Sequence, residues 1–287
     1  MNHNHKIALI TGANSGLGKA TAIGLAKRGY HVVMVARNRE RGEIARQEII
    51  QSSGSSSVTL MLADLSSQKD IHTLAKEFTQ QYQRLDLLVN NVGNSFMQRE
   101  TSPDDIEMSL AVNHLASFLL TQLLLDIIKS SAPARIVNVG TRLNTSIHFD
   151  DIQWESRRYK GLSAYAESKL GNLHFTVELA RRLANTGVTV NCVHPGVFRS
   201  NLGKHASKNP LLLDIVSTLS RPFLTPAEKA AERVLYVATA PELQGITGKY
   251  YGNRQELEMP AQVLDVSANQ HLWELSTQLT QMHLAIR

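Results

Sequence analysis

Short runs of apolar residues alternate along the chain with longer stretches whose apolar residues recur at helical spacing. The short runs predict strands at K-I-A-L-I-T, Y-H-V-V-M-V-A, V-T-L-M-L-A, D-L-L-V-N, A-R-I-V-N-V and V-T-V-N-C-V. The longer stretches predict helices, one from the first G-L-G-K to Gly29 and others near 39–52, 68–83, 103–130 and 162–185. Strands that are apolar throughout are buried on both faces, so the alternation predicts an α/β fold with a doubly wound parallel sheet flanked by helices.

The chain is expected to form a single domain. Its 287 residues lie within the range of one α/β unit, and no change in composition marks a boundary. The low-complexity stretch S-S-G-S-S-S at 52–57 stands between a predicted helix and a predicted strand. We interpret it as a surface turn rather than a linker.

Composition and charge narrow the class of protein. Hydrophobic residues make up 43% of the chain and charged residues 19%, which is typical of a soluble globular protein. The net charge of +5 is mild and the longest basic run is R-N-R-E-R at 37–41, so no nucleic-acid partner is expected. The single cysteine, Cys192, excludes an internal disulfide and a cysteine-based zinc site. It is expected in a buried strand, and no metal site is assigned.

The sequence predicts a cytoplasmic protein. No run approaches the roughly 18 consecutive apolar residues of a membrane span. The beginning, M-N-H-N-H-K, leads directly into the first predicted strand and does not have the pattern of a signal sequence.

A glycine-rich turn follows the first predicted strand and opens a helix, in the sequence T-G-A-N-S-G-L-G. Glycine lets the backbone approach a pyrophosphate closely, and a helix N-terminus offers unpaired N–H groups and a positive dipole end to phosphates. The alternative is a tight turn without a ligand. The residues expected at the phosphates are Gly12, Asn14, Ser15, Gly16, Leu17 and Gly18.

The ends of the next strands predict which dinucleotide binds. Arg37 stands where an acidic residue would hold the ribose of NAD, and a guanidinium there favours the 2′-phosphate of NADP, unless Arg37 is only a surface charge. Asp64 and Leu65 follow the third strand, where the edge of the adenine is expected. Asn91 and Gly93 follow the fourth, where small residues would let the ribose of the cofactor approach.

Motifs in a fixed order extend the argument: T-G-A-N-S-G-L-G, N-N-V-G, V-N-H at 112–114, Y-A-E-S-K at 165–169 and H-P-G at 194–196. Together they resemble the motif set of the short-chain dehydrogenase/reductase family. Longer stretches, such as A-V-N-H-L-A-S-F-L-L-T and V-H-P-G-V-F-R-S-N-L, look closer to its retinol-dehydrogenase-like branch. The resemblance implies one Rossmann-type domain over 1–287, with a cofactor half to about 140 and a catalytic and substrate-lid half from about 141.

The resemblance also implies the chemistry, a hydride transfer between NADP(H) and a carbonyl or alcohol. Tyr165 matches the family's general acid/base, whose pKa of about 10 must fall by about three units, or roughly 4 kcal/mol. The ammonium of Lys169, one helical turn along, contributes roughly 3 kcal/mol of this, and oxidised nicotinamide adds the rest. Lys169 is further expected to bind the nicotinamide ribose, and Pro195 and Gly196 match a motif at the cofactor.

Two other residues complete the catalytic set that the resemblance implies. Asn113 matches an asparagine that holds a water in a proton relay. The family's substrate-orienting serine is replaced, because Gly140 and Thr141 stand where V-S-S is usual. Thr141 keeps a hydroxyl and is expected to orient the substrate, with Ser146 as the less favoured alternative. Val92 in place of the usual alanine is expected to alter only packing.

The substrate is expected to be a lipophilic aldehyde, ketone or alcohol. Residues 205–224 are apolar and bounded by prolines, and as a lid they would present Leu, Ile and Val to it. The segment could instead be an ordinary packed helix or attach weakly to a membrane surface. Members of the family often pair through the helix that carries the tyrosine and lysine, which implies a homodimer or homotetramer.

Other functions stay open at this point. The same chemistry would serve a tailoring ketoreductase or dehydrogenase of a secondary-metabolite pathway. A non-catalytic NADP-binding regulator is suggested by the Gly140-Thr141 departure, but it would not need Tyr165 beside Lys169. An epimerase or dehydratase would need a second acid/base near the substrate, and none is evident.

Overall fold

The fold is an α/β sandwich around one mainly parallel sheet, in a computed structural model that describes residues 5–142, 144–196 and 225–281. Within these residues eight strands form the sheet, in the order β3-β2-β1-β4-β5-β6-β7-β8. Neighbours from β3 to β7 pair in parallel, and β8 is antiparallel to β7. The strands are β1 (Ile7–Thr11), β2 (His31–Ala36), β3 (Val58–Leu62), β4 (Leu87–Asn90), β5 (Ala134–Val139), β6 (Val188–His194), β7 (Tyr250–Gly252) and β8 (Gln255–Glu256). The predicted doubly wound parallel sheet is confirmed.

Helices cover both faces of the sheet. They are α1 (Gly16–Lys27), α2 (Arg39–Ser53), α3 (Gln68–Gln81), α4 (Met108–Leu110), α5 (Ala116–Leu123), α6 (Leu125–Ser130), α7 (Gly161–Arg182), α8 (Ala227–Thr239), α9 (Ala261–Leu264) and α10 (Val266–Leu279). Alternate residues of a strand point to opposite faces. Leu9 of β1 accordingly joins a core with α3, α5 and α7, while Ile10 joins a core with α1, α2 and α8. Among the described helices, none has the length and hydropathy to cross a bilayer.

The helix predicted near 103–130 is wrong as a continuous element. Residues before 108 form turns, and α4 begins there because the carboxylate of Glu107 accepts hydrogen bonds from the N–H groups of Ser109 and Leu110. A π-helical turn, Ala111–Leu115, separates α4 from α5, and Leu124 separates α5 from α6. The other predicted elements are present, with ends that differ by a few residues.

The C-terminal helix α10 covers part of α7. The ring of Trp273 lies 5.0 Å from Phe118 and 6.0 Å from Phe175, measured between centroids, and the guanidinium of Arg182 lies 4.1 Å from the Trp273 ring. His174 of α7 is hydrogen bonded to Asn269 of α10 at 2.6 Å. A homodimer or homotetramer stays a prediction, and α10 makes this face of α7 unavailable for it.

Candidate active site

The glycine-rich turn leaves the N-terminus of α1 open to an anion. Gly12 and Gly16 have φ values of +64° and +51°, a region that favours glycine. Ser15, the N-cap residue, makes no capping hydrogen bond through its side chain, and the first turn of α1 contains no acidic residue. A side chain at Gly18 would collide with the carbonyl oxygen of Gly12. The turn therefore fits a phosphate-binding site, with its backbone N–H groups not taken by side chains.

Hydrogen bonds hold this turn against the end of β4. The side-chain amide of Asn91 donates to the carbonyl oxygen of Thr11 at 2.7 Å. In return, the hydroxyl oxygen of Thr11 accepts from the backbone N–H groups of Asn91 and Val92 at 2.9 and 3.0 Å. The two motifs that were predicted to bind the cofactor therefore lie side by side, at the carboxyl ends of β1 and β4.

The residues predicted for the adenosine part lie at the ends of β2 and β3. A guanidinium nitrogen of Arg37 is 3.7 Å from a carboxylate oxygen of Asp64, and 72% of the Arg37 side chain is exposed. An exposed pair at this distance is weak, so Arg37 can turn to another anion. The side chain of Leu65 is buried in the core near Ile71. Leu65 could therefore contact the adenine only through its main-chain atoms, and this contact stays a prediction.

Lys169 is buried at the carboxyl ends of β4 and β5. Its side chain is held by two carbonyl oxygens, to which the Nζ atom donates: Val92 at 3.0 Å and Val139 at 3.3 Å. Within the described ranges no carboxylate forms a salt bridge with it. Tyr165 precedes it by one turn of α7, so the two residues share a face of the helix.

Burial shifts the pKa values of both members of this pair. It lowers the pKa of Lys169 to about 8, because the charged ammonium loses its hydration. It raises the pKa of Tyr165, because the phenolate would lose hydration as well. From the sequence we expected the charge of Lys169 to lower the pKa of Tyr165. Burial acts in the opposite direction, and the lowering by Lys169 stays a prediction.

Asn113 clamps two segments of the site together. It lies in the π-helical turn and is fully buried. Its Oδ1 atom accepts from the N–H of Asn94 at 2.7 Å, and its Nδ2 atom donates to the carbonyl oxygen of Asn94 and to the hydroxyl of Ser168, both at 2.9 Å. Both side-chain N–H groups are thus used. The relay water stays a prediction, and it would have to donate a hydrogen bond to an oxygen atom of Asn113.

Thr141 follows β5, at the edge of the sheet where Lys169 lies, and is partly exposed. The preceding Gly140 has a packing reason: a Cβ there would lie 2.6 Å from the sulfur of Cys192 and 3.0 Å from a methyl carbon of Leu173. Cys192 is fully buried, as expected, and burial raises the pKa of its thiol to about 12. The departure from V-S-S is therefore coupled to the cysteine in the neighbouring strand.

Arg233 of α8 reaches the H-P-G motif and was not identified from the sequence. Its Nη1 atom donates to the carbonyl oxygen of Pro195 at 2.9 Å, and the guanidinium packs against Gly196. The contact joins residues 38 positions apart. No local pattern in α8 signals it.

An apolar rim, defined here as Met97 and Leu162, borders the site near Tyr165. Met97 is 50% exposed and Leu162 is 68% exposed. The two segments touch, because a Cβ on Gly161 would lie 2.8 Å from the Cα of Met97. Leu162 precedes Tyr165 by three residues on α7. The predicted lid, residues 205–224, lies outside the described residues.

Comparisons with known proteins show which family the chain resembles. Residues 6–210 match the family described as short chain dehydrogenase. The chain is 40% identical to mouse retinol dehydrogenase 14 over 94% of its own length and 84% of that protein. It is 38% identical to human retinol dehydrogenase 13, over 96% of its own length and 84% of that protein.

Solved structures show the same fold. An uncharacterised protein from Mycobacterium paratuberculosis superimposes with a TM-score of 0.77 at 31% identity, over 96% of this chain and 93% of that one. The RhlG/NADP active-site complex of Pseudomonas aeruginosa superimposes with a TM-score of 0.66 at 28% identity, over 86% of this chain and 94% of that one.

Proposed function

Because the chain belongs to the short-chain dehydrogenase/reductase family, in its retinol-dehydrogenase-like branch, we propose that it is an NADP(H)-dependent oxidoreductase acting on a lipophilic aldehyde or ketone, or on the corresponding alcohol. Membership establishes the coarser class, an oxidoreductase that uses a nicotinamide cofactor and a small-molecule substrate. The observation that carries the finer proposal is the buried ammonium of Lys169, held at the ends of β4 and β5 one helical turn from Tyr165.

The cofactor would be held along the carboxyl edge of the sheet. Residues of the turn from Gly12 to Gly18 would bind the diphosphate, Arg37 the adenosine ribose, and Lys169 the nicotinamide ribose. The open N-terminus of α1 and the exposed guanidinium of Arg37 support this arrangement. When bound, the cofactor supplies or accepts the hydride and, in its oxidised form, brings a positive charge to the site.

Tyr165 would transfer the proton. Its hydroxyl gives a proton to the oxygen of the carbonyl during reduction, or takes it from the alcohol during oxidation. The charge of Lys169, which has no carboxylate partner in the described ranges, stabilises the phenolate that forms. Thr141 would donate a hydrogen bond to the substrate oxygen, and Asn113 would keep the loop after β4 in place through Asn94.

NADP is proposed over NAD because of the charge at the end of β2. Arg37 offers a guanidinium that can contact a 2′-phosphate in charge-assisted hydrogen bonds. Its contact with the carboxylate of Asp64 is long and exposed, so the guanidinium is free to turn toward such a phosphate.

A lipophilic substrate is proposed because of the apolar rim. Met97 and Leu162 expose apolar side chains where the loop after β4 meets the first turn of α7. Burial of such surface against a ligand is favourable by roughly 25 cal/mol per Å². That several relatives carry the name retinol dehydrogenase is consistent with this choice.

The test is oxidation of NADPH by the purified protein with aldehydes and ketones from short and polar to long and apolar, alongside NADH. We expect turnover that needs NADPH and rises with chain length or ring size. Tyr165→Phe should abolish turnover while NADPH still binds. Tyr30→Phe changes a tyrosine at the amino end of β2, away from the carboxyl ends of the strands, and should leave turnover unchanged. Binding of NADPH without turnover of any substrate, or full activity of Tyr165→Phe, would contradict the proposal.

The role of Thr141 is tested in the same assay. Thr141→Ser should be tolerated, whereas Thr141→Ala should lose roughly 100-fold or more in kcat, as when a donor to a developing oxyanion is removed. A fully active alanine variant would remove Thr141 from the catalytic set.

A further inference from the structure

A continuous chain of buried hydrogen bonds runs from the middle of the sheet to the residues of the active site. It begins at Asn90 of β4, whose side-chain amide donates to Thr121 of α5 and to the side-chain oxygen of Asn138 in β5, both at 2.9 Å. Asn138 in turn donates to the hydroxyl of Thr176 in α7 at 2.9 Å. Each of these four residues is 0% exposed.

The chain continues along α7 to the π-helical turn. The hydroxyl of Thr176 donates to the carbonyl oxygen of Asn172 at 2.6 Å. The side-chain amide of Asn172 donates to the carbonyl oxygen of Asn113 at 2.9 Å. Asn113 donates to the hydroxyl of Ser168, and Ser168 donates to the carbonyl oxygen of Tyr165 at 2.8 Å.

In this chain of hydrogen bonds, the chemistry of the side chains determines which group donates and which accepts at each step. Asn90 and Asn113 each use both side-chain N–H groups, and the hydroxyls of Thr176 and Ser168 each accept one hydrogen bond and donate one. A member that turned away would leave a buried partner unpaired, which is unfavourable. Every side-chain N–H or O–H group by which these residues form the chain therefore has a buried acceptor, although the side-chain oxygens of Asn90 and Asn172 have no partner within the described residues.

We propose that Asn138, Thr176 and Asn172 are positioning residues of the reaction, because they connect the sheet, through this unbroken chain of buried hydrogen bonds, to the Asn113 turn and to the part of α7 that carries Tyr165 and Lys169. None of the three lies in a motif that we assigned to the site. The inference rests on the proposed function, since its main readout is turnover.

Placement of this kind matters because hydride and proton transfer need a narrow geometry. The chain ends on the backbone of Asn113 and Tyr165 rather than on reacting atoms, so its members act through others. Lys169 lies on α7 between Tyr165 and Asn172, and it donates to the last residue of β5, the strand that contains Asn138. A misplacement of about 1 Å can cost roughly 100-fold in rate.

Thr176 allows a matched set of variants. Thr176→Val keeps the shape but removes the hydroxyl, and Thr176→Ser keeps the hydroxyl. Thr189→Val is the control, because Thr189 of β6 is 7% exposed and its buried hydroxyl has no partner within the described residues. Asn172→Ala interrupts the chain at a second point.

We expect Thr176→Val and Asn172→Ala to lower kcat by roughly 10-fold or more, with KM for both substrates changed by less than about twofold. Thr176→Ser should restore kcat, and Thr189→Val should match the wild type. Unchanged kcat in Thr176→Val would overturn the inference. So would a failure of both chain variants to fold while Thr189→Val folds, because the chain would then be a requirement of the fold alone.

Hydrogen exchange separates this inference from the proposed function. If the wild type turned over no substrate, the proposed function would fail, but exchange at Ala111–Leu115 would still report on the chain. Thr176→Val should speed amide exchange in this segment, whereas Thr176→Ser and Thr189→Val should not. Equal exchange in all of these proteins would show that the chain does not hold the turn.

Discussion

Lys169 occupies the space in which a side chain at position 93 would stand. A Cβ on Gly93 would lie 2.6 Å from the Nζ atom of Lys169 and 2.8 Å from its Cε atom. From the sequence, this glycine was expected to let the ribose of the cofactor approach. The structure gives a packing reason for it, since a Cβ at this position would require the buried ammonium to shift from the carbonyl oxygens of Val92 and Val139.

Gly93→Ala should therefore impair catalysis through Lys169. The new methyl group displaces Nζ from its two carbonyl partners, and we expect kcat/KM to fall by roughly 100-fold. Steady-state kinetics check this, with the double variant Gly93→Ala/Lys169→Met as the control. If Gly93→Ala acts only by displacing Lys169, kcat/KM of the double variant should be no lower than that of Lys169→Met alone. Wild-type activity of Gly93→Ala would contradict the expectation.

Arg37→Asp should shift cofactor preference from NADPH toward NADH. The carboxylate repels a 2′-phosphate and can accept hydrogen bonds from the ribose hydroxyls of NAD. Hydrogen bonds to charged groups contribute about 1.5–3 kcal/mol, so the ratio of kcat/KM values should change by roughly 10-fold to 100-fold. Lys27→Asp makes the same charge change at the C-terminus of α1, away from the carboxyl end of β2, and should leave the ratio unchanged. An unaltered ratio in Arg37→Asp would refute the phosphate contact.

Gly140→Ala should destabilise the fold through Cys192. The added Cβ would lie 2.6 Å from the sulfur, and overpacking of this kind typically costs about 1–3 kcal/mol. Cys192→Ala removes the sulfur, so the double variant should be more stable than the sum of the two single changes predicts, by roughly 1 kcal/mol. Urea unfolding of the four proteins measures this coupling. Strict additivity would show that the two residues do not compete for the space.

Lys169 should make stability depend on pH in the alkaline range. Burial lowers its pKa from the ordinary 10.5 to about 8, so between these values the unfolded chain binds more protons at this position than the folded chain. Its contribution to the free energy of unfolding therefore rises with pH across that window. Relative to that of Lys169→Met, the free energy of unfolding of the wild type should rise by roughly 3 kcal/mol as the pH increases from about 8 to 10.5. A difference that does not change with pH would contradict the lowered pKa.

The strands and the cofactor turn could be predicted because their signals are local. The run K-I-A-L-I-T and the G-x-x-x-G-x-G spacing after it specify a buried strand, a turn and a helix N-terminus without reference to other parts of the chain. The interruption of the helix near 103–130 could not be predicted in this way. Its π-helical turn contains Asn113, whose partners are Asn94, Ser168 and Asn172.

The sequence alone determined the α/β class, the first six strands with most of the helices between them, and the pairing of Tyr165 with Lys169 on one helix, because hydrophobic periodicity and helical spacing extend over only a few residues. The strands β7 and β8 and the helices α8 to α10 were not predicted. Tertiary structure decided how Lys169 is held, why positions 93 and 140 are glycines, and which buried amides and hydroxyls connect the sheet to α7. These features depend on atoms from segments that are far apart in sequence. Their contacts exist only once the strands have paired and the helices have packed on the sheet.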